Sequence, residues 1–71
     1  MPEMTKAQFE VVAELLRSRE PVRSAVRMVL VDGAGSREAA EATGLVQQSV
    51  TNALRRYRNA HNKLLHAYKN A

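Results

Sequence analysis

The chain has 71 residues, of which 11 are Lys or Arg and seven are Asp or Glu, giving a formal net charge of +4, and it contains no cysteine. That length holds one domain with a small core, and the missing cysteine excludes disulfides and thiolate metal sites. No apolar run approaches the ~20 residues of a membrane span, and the opening MPEMTKAQFE has no secretory h-region, so a soluble, cytoplasmic protein without a membrane partner is expected.

The apolar period is helical from one end to the other. Thr5 with Gln8 three positions later forms a capping box, and Phe9, Val12 and Leu16 follow at helical spacing, which predicts a helix over about 6 to 18. Pro21 suits the first turn of a second helix, and Val22, Val26, Val29 and Leu30 form its buried stripe. Asp32, Gly33 and Gly35 end that helix near Val31. Val29 to Val31 could suit a strand, but no second strand exists to pair with them. Ser36 is expected to cap a third helix that runs to about Thr43, with Glu38 favoured in its first turn by the helix dipole. A further helix begins near Val46. Only the first four residues and the last three or so are expected to fray. The fold class is therefore all-α, a small domain of about four to five helices.

The most specific stretch is SREAAEATGLVQQSVTNALR, from Ser36 to Arg55. Its spacing is that of a helix-turn-helix. Ala40, at the fifth position, is small where two crossing helices come closest. Gly44, at the ninth, is the corner, where a positive φ costs most other residues about 1 kcal/mol. Leu45, Val50, Ala53 and Leu54 fill the positions that hold the second helix to the first. The positions between them are polar and face outward, as a helix that reads base edges in a major groove requires.

Two glutamines open that reading helix, and a glutamine or asparagine amide can pair bidentately with adenine N6 and N7. Gln48, Thr51 and Asn52, with Gln47 next, are the candidate base contacts, Thr51 offering a methyl to thymine. Ser36 and Arg37 at a helix N-terminus, together with Ser49, Arg55, Arg56 and Arg58, are the candidate phosphate contacts. The charge distribution favours a polyanion: Gly44 to Ala71 carries a formal +5 with no acid, whereas residues 1–43 sum to −1.

The last segment has two readings. Val50, Leu54, Tyr57, His61, Leu64 and Tyr68 follow a heptad-like seam that Leu65 broadens. One continuous helix from Gln47 to Tyr68 would run roughly 33 Å, and its second half would bury Tyr57, His61, Leu64, Leu65 and Tyr68 against a twin subunit. Alternatively the chain breaks at Asn59 or Asn62 and folds back over the first helix. Residues 1–71 thus form one domain, with a reading unit over 36–58 and a dimerisation segment over 59–71.

The stretch from Thr5 to Tyr57 resembles the DNA-binding domain of the TrfB/KorA family of plasmid transcriptional repressors. The resemblance rests on T-x-x-Q-F at Thr5 to Phe9, AVRMVLVDG from Ala25 to Gly33, EAAEATGL from Glu38 to Leu45 and SVTNALRRY from Ser49 to Tyr57. It implies an all-helical, homodimeric repressor that binds a palindromic double-stranded DNA operator on a plasmid or related mobile element. The chain departs from the family at Val46, Gln47 and Gln48, where members tend to place a Thr cap and a basic residue. That removes a cap worth about 1 kcal/mol and changes the bases read.

Other signals are weak. Gly33 to Ser36 lacks the strand, further glycine and lysine of a nucleotide loop. His61 and His66 lie on different helix faces, so no metal site is expected. No Ser, His and acid arrangement suggests an enzyme, no cofactor is implied, and the sequence names no co-repressor. Two further classes stay open: a helical protein-binding module using Leu64, Leu65 and Tyr68, and a non-specific nucleic-acid binder using only its arginines. An ordinary helical hairpin with a glycine corner would show the same small residue and spaced aliphatics.

Overall fold

The computed structural model describes residues 3–69, with side chains through Ala67. Helix α1 spans Lys6–Leu15 and opens on the expected capping box: Gln8 N–H donates to Thr5 Oγ1 at 3.1 Å, and Thr5 N–H donates to Gln8 Oε1 at 3.0 Å. It stops about three residues short of the predicted end because Arg17 turns to φ +52° and Ser18 N–H reaches back to the Ala13 carbonyl at 3.0 Å. That left-handed closure normally calls for glycine, and its absence hid the boundary. The N-terminal segment is more ordered than expected, for Met4 is 3 % exposed and its N–H donates to the Leu30 carbonyl at 3.0 Å.

Helix α2 spans Val22–Leu30, with Pro21 at its N-cap position. The Glu20 carboxylate accepts from Ser24 N–H and Ser24 Oγ, both at 2.7 Å, and so stands in for the missing cap; these bonds hold its pKa below the ordinary value. Helix α3 spans Ser36–Thr43, and its N-cap is Gly35 rather than Ser36, with no side-chain cap bond. Ser36 is the first helical residue, one position past the place from which a hydroxyl can reach back. Helix α4 spans Gln47–Lys69 without interruption, 23 residues, and defines the 40 Å long axis of the molecule.

The core is a single cluster drawn from all four helices. Phe9, Val12, Val26, Leu30 and Val50 are fully buried, and Tyr57 is 1 % exposed with its ring stacked on Phe9 at 5.5 Å. Burying an aromatic or branched side chain of this size contributes roughly 1.5 to 3 kcal/mol, so these few residues carry most of the apolar stabilisation. Ala39 and Ala40 let α3 approach, and partly buried Leu45 and Leu64 extend the cluster along α4. No described helix is long and apolar enough to cross a membrane.

Candidate DNA-binding interface

The corner between α3 and α4 sets the interface. Gly44 adopts φ +73°, and Leu45 N–H donates to the Ala40 carbonyl at 3.0 Å, so the chain leaves α3 in a left-handed turn and re-enters a helix three residues later. A Cβ on Gly44 would meet nothing within 4 Å, which means that backbone conformation alone selects glycine here. Val50, Ala53, Leu54 and Tyr57 then point into the core. With 100° per residue, their burial turns Gln48, Thr51, Asn52 and Arg55 to the opposite, exposed side.

The amide face is pre-ordered. Gln48 Nε2 donates to Asn52 Oδ1 at 3.1 Å, which leaves Gln48 Oε1 and Asn52 Nδ2 without an internal bond on the exposed face. One acceptor and one donor side by side match the N6 donor and N7 acceptor of an adenine edge. Thr51 Oγ1 donates to the Gln47 carbonyl at 3.0 Å, satisfying its hydroxyl within the helix. Gln47 is placed differently from the other three: its Nε2 donates to Ser36 Oγ at 3.2 Å and ties the start of α4 to the start of α3. Ser49 is half-buried at the flank.

The basic residues separate into held and unheld groups. Arg58 grips Glu3 through Nε to Oε2 at 3.0 Å and Nη2 to Oε1 at 2.6 Å. The Arg58 guanidinium holds the Glu3 carboxyl below its ordinary range, with burial opposing and the Arg58 and His61 charges assisting, and the same bond raises the Arg58 pKa. Arg58 was a candidate phosphate contact from sequence; the structure makes it the clasp of the N-terminal segment. Arg37 lies 3.5 Å from Glu41 one turn on, both strongly exposed, a contact worth less than about 1 kcal/mol that a phosphate could replace. Arg55 and Arg56 are exposed and have no acidic partner among the described residues.

Tyr57, expected on the outward seam, lies inside the protomer core, because the Val50, Leu54, Tyr57 spacing is the face that α4 turns to the other three helices, with Tyr57 stacked on Phe9 of α1. His61 and Leu64 are half-buried along the same line, and Leu65 is 46 % exposed. The Tyr68 side chain lies outside the described residues. The helix does not break at Asn59 or Asn62. It still passes over α1, and an open apolar groove of about 250 Å³ lies between the two, lined by Gln8, Val11, Val12, His61, Leu64 and Leu65.

Comparison with protein families matches the chain to the KorA model, described as TrfB plasmid transcriptional repressor, over residues 4–69. None of the curated proteins matches the chain.

Proposed function

The chain belongs to the KorA family of TrfB plasmid transcriptional repressors, and from that premise we propose that it binds a palindromic operator as a homodimer, with the first half of α4 in the major groove. The observation that carries this reading is the ordered Gln48–Asn52 pair on the exposed face of α4, next to the left-handed corner at Gly44. In this reading the whole chain is one DNA-binding domain. Gln48 and Asn52 read an adenine edge together, Thr51 turns its methyl to a thymine, and Gln47 fixes the angle between α3 and α4 through Ser36. Arg55, Arg56, Ser49 and Arg37 meet phosphates, with the N-terminus of α3 adding its free N–H groups.

Dimerisation uses the outer side of the α1–α4 groove. Val11, Leu15 and Leu65 are 52 %, 60 % and 46 % exposed, and all three belong to the two helices that form this groove. A second copy covers them with the same residues under two-fold symmetry. The twofold then sets two half-sites about 34 Å apart on one face of the duplex. Repression follows by occlusion of the promoter.

The test is selection of bound sequences from a random duplex pool, followed by anisotropy titration. The reading requires an enriched inverted repeat and a loss of affinity for it in Asn52→Ala. An unenriched pool, or equal binding by the variant, would overturn it.

A further inference from the structure

A second basic feature lies away from the amide face. The turn between α1 and α2 and the middle of α4 enclose a cleft of about 200 Å³, lined by Arg17, Ser18, Arg19, Glu20, Arg56 and Tyr57. None of the three arginines has an ion-pair partner among the described residues. The one carboxylate in the lining, Glu20, is held ionised by its two bonds from Ser24, and three guanidiniums outweigh its single negative charge. Tyr57 is 1 % exposed, and its hydroxyl is buried without a hydrogen-bond partner. Ser18 stands close enough to oppose the rise in the Tyr57 pKa that burial causes, yet no bond of acceptable geometry joins them. The phenol therefore stays protonated, a donor with nothing to donate to. A buried donor left unmet is unfavourable, and the protein keeps this one beside three unpaired guanidiniums. Arg17 holds φ +52° at a position glycine would occupy without strain.

We propose that Arg17, Arg19 and Arg56, with the Tyr57 hydroxyl, form a phosphate site that clamps the DNA backbone beside the reading helix. The cleft holds several times the ~30 Å³ of a water molecule, enough for a tetrahedral oxyanion. Guanidinium forks and a neutral O–H donor are the groups that recognise one. Arg56 follows Asn52 by one turn of α4, about 6 Å along the axis, so the cleft begins one turn beyond the amide face. A backbone phosphate held there would complement the phosphate held at the α3 N-terminus. This clamp rests on the groove-binding reading above.

The experiment uses the full chain, its Arg17→Gly/Arg19→Ala variant and Tyr57→Phe. Arg17→Gly relieves a left-handed arginine and Arg19 is exposed, so the fold survives, as circular dichroism will verify. Affinity for mixed-sequence duplex is measured against salt, and inorganic phosphate is titrated while the Arg17, Ser18 and Arg19 amide resonances are followed. The clamp predicts that the double variant lowers the slope of log K against log salt by about 1 per protomer. It predicts phosphate-dependent amide shifts in the parent protein, with roughly tenfold weaker phosphate binding in Tyr57→Phe. An unchanged salt slope overturns the clamp even if phosphate binds, since the cleft then takes a free oxyanion. A parent protein that binds no duplex at all overturns the groove-binding reading and the clamp together. Duplex binding with an unchanged slope and no phosphate shifts removes the clamp alone.

Discussion

The Phe9 and Tyr57 rings lie 5.5 Å apart and 12° from parallel, and they join α1 to the middle of α4. Both are buried, so the pair is the centre of the fold rather than part of an outer seam. Tyr57→Ala removes the ring and leaves a cavity, costing about 3 to 5 kcal/mol. For so small a domain that is most of its stability. Tyr57→Phe keeps the stacking and deletes a buried hydroxyl that has no partner, so it is expected to be neutral or stabilising by up to about 1 kcal/mol. Urea unfolding of the two variants measures both values, and a Phe variant less stable than the parent would mean that the hydroxyl is satisfied.

Gly44→Ala tests the corner. The new Cβ meets no atom within 4 Å, so the whole effect comes from holding alanine at φ +73°. The expected loss is about 1 to 2 kcal/mol, or roughly 4 to 16 °C in thermal midpoint for a domain of this size. Gly35→Ser is the control, since its backbone is extended at φ −75°, its surroundings are equally open and serine suits the N-cap position it holds. Equal losses at the two sites would remove the conformational argument for Gly44.

On a selected operator, Asn52→Ala and Gln48→Ala should each lose about 1 to 3 kcal/mol of binding. The 3.1 Å bond between them makes each orient the other, so the double variant should lose less than the sum. Fluorescence anisotropy over the four proteins gives the coupling, and strict additivity would separate the pair into independent contacts. In the same assay Arg55→Ala should lower the salt slope by about 1. Arg58→Ala should leave it unchanged because Glu3 already neutralises that guanidinium.

The Glu3–Arg58 clasp gives the fold an acid-sensitive component. Arg58 depresses the folded-state pKa of Glu3 below its ordinary 4.5, so the stabilisation is present above that value and is lost as pH falls through the depressed one. Both side chains are close to half exposed, which limits the contribution to less than about 1 kcal/mol and makes it sensitive to salt. Glu3→Gln should therefore lower stability slightly at pH 7 and remove part of the decline below pH 4.5. Thermal unfolding of both proteins across that range measures it, and parallel curves would contradict the pairing.

Features encoded by neighbouring residues were legible in the sequence. The Thr5 and Gln8 capping box, the Gly44 corner and the polar face of α4 depend on side chains within a turn of one another, so spacing alone locates them. What escaped depends on residues distant in the chain or on unfavourable backbone. The clasp joins residues 55 positions apart, and no local pattern links them. Arg17 ends α1 in a conformation that its residue type does not advertise. Tyr57 follows the same spacing whether α4 packs on α1 or on another subunit, and only the fold decides between them. The cleft around its hydroxyl was invisible for the same reason.

The dimer is best tested at one side chain rather than by truncation. Removing everything after Arg58 would take away Ala60 and Leu64, which pack against the core, and would confuse loss of pairing with loss of fold. Leu65 is 46 % exposed beside Val11, so Leu65→Glu disturbs the protomer little and places a charge in the proposed twofold contact. Sedimentation equilibrium should then show a monomer with an unchanged helical spectrum. Its operator binding should weaken by orders of magnitude, because two independent half-site events replace one linked event. Affinity for a single half-site should stay as it was, since Leu65 lies more than a dozen residues beyond Asn52 on α4. A variant that remains dimeric would move the interface away from the α1–α4 groove and leave the amide face untouched.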